Sequence, residues 1–149
     1  MSPASPNKPL VFIDADVLFA GAASPTEHGA SLLILQLAEI TLIEAVTSEQ
    51  VITEAERNLE AKVPKALPAF HLLVNRCLRF VKDPETEDLQ PYKDLADPKD
   101  LPILVTALRE SCPWLVTFNT RHYQPGHKNV SVVTPGDFVL RIRDLLTQL

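Results

Sequence analysis

The sequence predicts an α/β fold in which helices flank a parallel β-sheet. Short apolar runs typical of buried strands alternate with longer segments in which apolar residues recur at helical spacing. Such alternation indicates strand–helix–strand units, which place helices on both faces of a sheet. The chain has 149 residues, of which 46% are hydrophobic, and this is sufficient for one domain with one continuous core.

Five short runs are predicted to be strands. Leu10–Ile13 is apolar throughout, as expected of a strand that is covered on both faces. The other four predicted strands are Thr41–Val46, Leu78–Val81, Trp114–Thr117 and Val130–Val133. Ligands of open parallel sheets bind beyond the carboxyl ends of the strands, so the residues that follow each strand are the candidates for a site.

The helices are predicted from apolar periodicity and from capping residues. Ser48 is a plausible N-cap for a helix through Lys62, and Asp97 followed by Pro98 indicates another helix start. The remaining helices are a short one after Asp14, Gly29–Ile40, one that follows Pro64 and Pro68 and ends near Cys77, and one from Pro135 to the C-terminus. The acidic stretch 83–94 is predicted to be a loop or a broken helix.

Composition excludes several classes of function. A net charge of −5 argues against a broad basic surface that coats phosphate backbones. The four glycines form no GxGxxG or GxxxxGK[ST] pattern, which excludes dinucleotide and P-loop phosphate sites. Cys77 and Cys112 lie far apart without a CxxC motif, so they are interpreted as buried thiols of a protein in a reducing compartment.

The domain assignment divides the chain into residues 1–9, a Pro/Ser-rich disordered leader, and residues 10–149, the folded domain. The leader lacks the apolar region of a signal peptide, and no apolar run reaches the length of a membrane span. The expected location is the cytoplasm.

Two carboxylates follow the first predicted strand. Asp14 and Asp16 could cap the next helix, which is the common role of Asp at such a position. The apolar residues before Asp14 favour burial, however, and a buried carboxylate needs a cation, a metal ion or a set of donors.

Other polar residues are expected at the same edge of the sheet. Asp97 and Asp100 suit a helix start, yet their spacing also places both carboxylates on one face of the first turn. Glu54 borders the apolar stripe of its helix, and Thr117 and Asn119 follow the fourth strand. Oxygen donors without a Cys/His cluster favour Mg²⁺ or Mn²⁺ over zinc, and such ions support phosphodiester hydrolysis.

The order of these motifs resembles that of the PIN-domain family. The resemblance is carried by Val11–Leu18, Ser48–Leu59, Asp97–Leu108 and Leu115–Tyr123. It implies a PIN-like three-layer sandwich with a five-stranded parallel sheet and the activity of a metal-dependent ribonuclease. Many bacterial members are VapC-type toxins that a small antitoxin blocks, and many are dimers.

The resemblance also assigns roles to individual residues. Asp14, Glu54 and Asp100 match the family's acids, Asp97 matches an acid of some subgroups, and all four are the expected metal ligands. Thr117 matches the hydroxyl at the end of the fourth strand. Asp16 stands where the family more often has Asn, whereas Asn119 stands where many members have an acid. We therefore expect Asn119 to lower the charge of the site.

RNA would require positive charge near the acids. The expected contacts to phosphates are Arg57, Lys99, Arg121, His122 and Lys128, although scattered solubilising charge explains these residues equally well. Asp16 is also expected to contact the substrate. Phe118 and Tyr123 could stack on a base.

Three alternatives remain open from the sequence. A haloacid-dehalogenase-type phosphatase would use Asp14 as its nucleophile, with Lys128 and Asp137 as the later motifs. A non-catalytic PIN module would bind RNA or a protein partner. A homodimer could form through residues 64–77.

Overall fold

The computed structural model describes residues 8–23 and 29–148, with the side chain of Leu146 excepted. Residues 1–7 of the expected leader therefore lie outside the described residues. The carbonyl oxygen of Pro9 accepts a hydrogen bond from the amide of Glu44 at 2.8 Å, so the chain is already tied to the sheet at this residue.

The described strands form one parallel sheet, as predicted. They are β1 (Leu10–Ile13), β2 (Glu44–Ser48), β3 (Leu78–Val81), β4 (Trp114–Val116) and β5 (Ser131–Val133). Their order is β3-β2-β1-β4-β5, and every neighbouring pair is parallel. The chain therefore reverses its direction of growth across the sheet at β1, and such a switch point is where parallel sheets bind ligands.

Helices cover the sheet, which confirms the predicted α/β class. They are α1 (Ala15–Ala23), α2 (Gly29–Glu39), α3 (Glu49–Lys62), α4 (Leu67–Cys77), α5 (Leu101–Arg109) and α6 (Pro135–Thr147). Shorter 3₁₀ helices span Pro64–Ala66, Thr86–Tyr92 and Thr120–Tyr123. The acidic stretch 83–94 contains the 3₁₀ helix Thr86–Tyr92 rather than a long α-helix, because Pro91 is incompatible with one.

The core lies between the helices and the central strand. Val11, Phe12 and Ile13 of β1 are completely buried, as their uninterrupted apolar pattern predicts. Cys77 and Cys112 are also buried and free, which confirms their role as small buried side chains. Burial raises the pKa of the Cys112 thiol to about 12, so this thiol stays protonated at neutral pH.

The starts of two elements differ from the predictions by at least three residues, for physical reasons. β2 begins at Glu44 rather than Thr41, because Thr41 adopts a left-handed conformation (φ 65°) in the turn that ends α2. α5 begins at Leu101 rather than at Asp97, since residues 97–100 form a separate turn in which the Asp100 amide donates to the Asp97 carbonyl.

Among the described residues, no helix is both long and apolar enough to span a membrane.

Candidate active site

Asp14 lies at the centre of the carboxyl edge of the sheet and is only 7% exposed. Its amide donates to the carbonyl of Val116 at 3.0 Å, which extends the β1–β4 pairing by one residue. The Asp14 Oδ1 atom accepts a hydrogen bond from the Ala15 amide, and Oδ2 accepts one from the Tyr123 hydroxyl, both at 2.7 Å. The carboxylate is therefore buried but provided with two donors, as a buried charge requires.

Asp16 joins α1 to the segment that follows β4. Its Oδ2 atom accepts hydrogen bonds from the Phe118 amide at 3.0 Å, from Asn119 Nδ2 at 3.1 Å and from the Thr117 hydroxyl at 3.3 Å. The Thr117 hydroxyl in turn accepts a bond from the Asn119 amide at 3.1 Å. Asp16 thus binds the three residues after β4 rather than capping α1.

This network brings together Asp16 and Asn119, the two residues at which the resemblance implied a departure from the expected pattern. Asp16 carries an acid where an amide is more usual, and Asn119 carries an amide where an acid is more usual, and the two side chains are hydrogen-bonded. The pair therefore contains one carboxyl group and one amide. The carboxyl group is at position 16 rather than at position 119, where the resemblance led us to expect it. Asp16, two residues after Asp14, therefore places a carboxyl group beside the amide of Asn119.

Asp97, Asp100 and His122 form a second group beside the sheet. One ligand atom from each lies within 4.8 Å of the other two. His122 Nδ1 is 3.2 Å from Asp100 Oδ2, and the His122 carbonyl accepts the Asp97 amide at 2.8 Å. Asp100 is 7% exposed, whereas Asp97 and His122 are exposed. The spacing that suggested a shared face for the two acids is thus confirmed.

The capping interpretation of these acids does not hold. Asp100, not Asp97, occupies the N-cap position of α5, and its carboxylate makes no capping hydrogen bond. The side chain instead contacts His122, because the preceding turn directs residue 100 towards the end of β4. The Asp100 carboxylate is therefore available to a ligand.

Crowding of carboxylates raises two pKa values at this edge. Burial and the charge of Asp14 raise the pKa of Asp16 to about 7 from its usual value of 3.8. Burial and the same charge raise the pKa of Asp100, although His122 and Lys99 partly offset the effect.

We call the four carboxylates at this end of the sheet the acidic edge: Asp14, Asp16, Asp97 and Asp100. A cation held there would relieve their mutual repulsion, so the donor set fits a hard divalent ion.

Glu54 and Lys99 line a cleft next to the acidic edge. The Glu54 carboxylate lies 3.5 Å from the Lys99 ammonium group, and Gln50 Nε2 donates to the Lys99 carbonyl at 3.1 Å. Arg57 lies on the same cleft, which has a volume of about 530 Å³. The position of Glu54 on the edge of the apolar stripe of α3 thus orients it towards the site.

The structure assembles part of the predicted ligand set and separates the rest. Within the described residues, Asp14 and Glu54 are outside the 4.8 Å group that Asp97 and Asp100 form with His122. Of the predicted substrate contacts, Lys99 lies beside Glu54 and His122 beside Asp100, whereas Arg57 lines the cleft and Arg121 is exposed.

Sequence reasoning misjudged Tyr123 and overlooked Asp83. The Tyr123 ring is 2% exposed, so the predicted stacking on a base is wrong, and the hydroxyl binds Asp14 instead. The Asp83 carboxylate accepts the Gln50 amide at 3.0 Å and so caps α3, whereas the Ser48 hydroxyl makes no capping bond. Both contacts join residues distant in sequence, and local patterns do not report such pairs.

Comparison with known proteins identifies the family of the fold. The family model of the PIN domain matches residues 10–121, which is well over half of the chain. A comparison with curated proteins finds no significant match.

Three solved structures share this architecture. PAE2754 from Pyrobaculum aerophilum aligns with a TM-score of 0.65 at 15% identity, over 95% of this chain and 93% of its own. VapBC2 from Rickettsia felis, bound to a DNA fragment from their promoter, aligns at 0.59 and 17% identity, over 83% and 96%. VapC20 of Mycobacterium tuberculosis, a toxin that cleaves the sarcin-ricin loop, aligns at 0.51 and 15% identity, over 70% and 86%. At these identities the likeness establishes the fold.

Proposed function

Because this chain belongs to the PIN-domain family, we propose that it is a divalent-metal-dependent endoribonuclease that hydrolyses phosphodiester bonds of RNA. The observation that carries the proposal is the acidic edge at the topological switch point of a parallel sheet. There, Asp14 is buried, and the pKa values of Asp16 and Asp100 are raised first by burial and next by its charge. Perturbed carboxylates at such a position indicate a site rather than surface charge.

Asp14, Asp97 and Asp100 are the proposed ligands of Mg²⁺ or Mn²⁺, with Glu54 beside them. Their carboxylate oxygens are the hard donors that both ions prefer. When bound, such an ion neutralises phosphate charge and lowers the pKa of an attacking water. His122 holds Asp100 in place at 3.2 Å, and the Tyr123 hydroxyl holds Asp14.

Thr117 and Asn119 have a proposed orienting role. The Thr117 hydroxyl is fully buried and is engaged with both Asp16 and the Asn119 amide. It therefore fixes the turn after β4 and keeps Asn119 at the mouth of the site. The side-chain Nδ2 of Asn119 donates to Asp16. The side-chain oxygen Oδ1 of Asn119 is then left to orient a water or a substrate hydroxyl.

Lys99, Arg57, Arg121 and His122 are the proposed contacts to the RNA backbone. All four are exposed, and Lys99 and Arg57 lie on the cleft that adjoins Glu54. In this proposal, phosphates of a single strand would bind in this cleft, beside Glu54. Phosphates would bind at these few cations and at the ion, consistent with a net charge of −5.

The proposal is tested by incubating the purified protein with end-labelled single-stranded RNA in Mg²⁺, Mn²⁺ or EDTA. We expect cleavage with either ion and none with EDTA. Asp14→Asn and Asp100→Asn each remove one ligand charge and should lower the rate by at least about 100-fold.

Asp144→Asn is the matched control, because Asp144 is an exposed carboxylate on α6 paired with Arg143. This variant should cleave at the wild-type rate. Cleavage that persists in EDTA and in both site variants would overturn the proposal. Binding of RNA without cleavage in any metal would instead identify a non-catalytic PIN module.

A role as the toxin of a toxin–antitoxin pair is the second part of the proposal. It is supported by the fold shared with VapBC2 and VapC20. The activity belongs in the cytoplasm, where RNA is the abundant substrate. Induced expression in bacteria should arrest growth for the wild type and not for Asp14→Asn. Co-expression of the product of the adjacent reading frame should restore growth, and an unrelated small protein should not.

A homodimer is also proposed. Leu72 on α4 is 52% exposed and Phe80 on the edge strand β3 is 47% exposed, and both lie on or next to the segment 64–77. Burial of such apolar side chains between two copies would be favourable. Light scattering should give twice the mass of the chain, and Leu72→Glu should give the monomer.

A further inference from the structure

Tyr123 contacts the acidic edge from inside the core. Its ring is 2% exposed, and it is one of only two tyrosines in the sequence. The hydroxyl donates to Asp14 Oδ2 at 2.7 Å, a distance typical of a strong bond to a charged acceptor. Because the ring is packed on all sides, the hydroxyl has one fixed position relative to Asp14.

The two oxygens of Asp14 are held from two different elements. Oδ1 accepts the amide of Ala15 at the start of α1, and Oδ2 accepts the Tyr123 hydroxyl from the 3₁₀ helix after β4. Two donors on opposite oxygens fix the plane of the carboxylate. Each oxygen retains a lone pair for a further ligand.

The same 3₁₀ helix holds a second acid of the site. His122, the residue before Tyr123, lies 3.2 Å from Asp100 through Nδ1. Successive residues of one short helix therefore contact carboxylates from β1 and from the start of α5. This 3₁₀ helix therefore contacts both Asp14 and Asp100, which lie on different elements.

We propose that Tyr123 is a positioning residue of this site and that its hydroxyl holds the Asp14 carboxylate in the orientation that binds a divalent cation. The inference rests on the proposed function, because it assumes that Asp14 is a ligand. The Tyr123 hydroxyl carries a proton that the Asp14 carboxylate cannot supply, so the phenol is the donor of this bond. Partners of this kind orient metal ligands and are commonly required for full affinity.

The test is the Mn²⁺ affinity of Tyr123→Phe, measured by the paramagnetic resonance of free Mn²⁺ with the complete chain. Phe keeps the ring and removes only the donor. We expect the dissociation constant to rise about tenfold or more. Saturating Mn²⁺ should restore kcat of RNA cleavage, because the hydroxyl does not contact the substrate.

Tyr92→Phe is the matched control, since Tyr92 lies away from the acids and its ring contacts His127. It should bind Mn²⁺ as the wild type does. An affinity of Tyr123→Phe within twofold of the wild type, in a protein with the wild-type melting temperature in EDTA, overturns the proposal.

A second measurement does not depend on the folding of Tyr123→Phe. In the Tyr92→Phe protein, Tyr123 is the only tyrosine, and its ultraviolet absorption reports the bond to Asp14. Adding Mg²⁺ should shift the tyrosine band if Asp14 takes up the ion. An unchanged band would contradict the inference.

The outcomes separate this inference from the proposed function. In one outcome the wild type binds Mn²⁺, Tyr123→Phe binds it more weakly, and no RNA is cleaved. The positioning role then stands and the nuclease proposal fails. If RNA is cleaved with Mn²⁺ and the variant binds the ion normally, the nuclease proposal stands and the positioning role fails. Absence of Mn²⁺ binding by the wild type overturns both.

Discussion

At the scale of single residues, Asp16 and Asn119 function as one unit. Their side chains share a hydrogen bond of 3.1 Å, and the pair has a single carboxyl group to carry negative charge. The charge should therefore be transferable between the two positions with little loss of stability. Separate substitutions should weaken the pair, because they either replace the carboxylate acceptor by a neutral amide or place two carboxylates in contact.

A double-mutant cycle tests this exchange. Asn119→Asp should lower the free energy of unfolding at neutral pH, because two carboxylates then face one another. Adding Asp16→Asn to this variant should recover a coupling energy of about 1–2 kcal/mol. Urea denaturation of the wild type, both single variants and the double variant provides the measurement. A double variant whose loss equals the sum of the two single losses would show that the residues are independent.

Asp16 also predicts how stability depends on pH. Its folded-state pKa of about 7 exceeds the usual 3.8, mainly through burial and next through the charge of Asp14. The folded state therefore retains the proton more strongly than the unfolded state. The stabilising contribution is complete below about pH 4 and is lost as the pH rises through about 7.

In EDTA, the melting temperature of the wild type should consequently fall relative to that of Asp16→Asn between about pH 5 and pH 8. Carboxylates outside the acidic edge affect both proteins equally, so the difference between the two curves reports Asp16 together with its coupling to Asp14. Parallel curves across this range would mean that Asp16 titrates at its ordinary value.

At the scale of elements, a contact from another segment caps α3. The Asp83 carboxylate, two residues after β3, accepts the Gln50 amide at 3.0 Å. The Ser48 hydroxyl is buried without a hydrogen-bond partner among the described residues. The start of α3, and with it the direction of Glu54, therefore depends on the β3–α3 contact.

Asp83→Ala should lower the free energy of unfolding by about 1 kcal/mol, the usual cost of a lost cap. Ser48→Ala is the control at the N-cap itself, and it should be close to neutral because it removes an unsatisfied buried hydroxyl. Urea denaturation compares the two. A larger loss for Ser48→Ala than for Asp83→Ala would assign the cap to the serine after all.

At the scale of the whole molecule, apolar patterning predicted the sheet and the helices. Leu78–Val81 was located to the residue, and α3 and α6 were located within their caps, because burial on a regular period is a local property of the sequence. The start of α5 was misplaced, since a turn with helix-like hydrogen bonds precedes it.

The candidate site was predicted only in part. The acids follow strands and helix starts, so their sequence positions identified the edge at which they meet. The bonds of Tyr123 to Asp14 and of Asp16 to Asn119 each span about a hundred residues. Such pairs depend on the register of β1 against β4, which no local signal determines.

The central claim is that a divalent ion at the acidic edge supports RNA cleavage. The most direct measurement follows the initial rate of RNA cleavage by one preparation as Mn²⁺ is present, removed with EDTA and restored in excess. The rate should disappear on chelation and return when Mn²⁺ is restored, while Asp14→Asn remains inactive throughout. Cleavage that continues in EDTA, or that Asp14→Asn catalyses at the wild-type rate, would contradict the account.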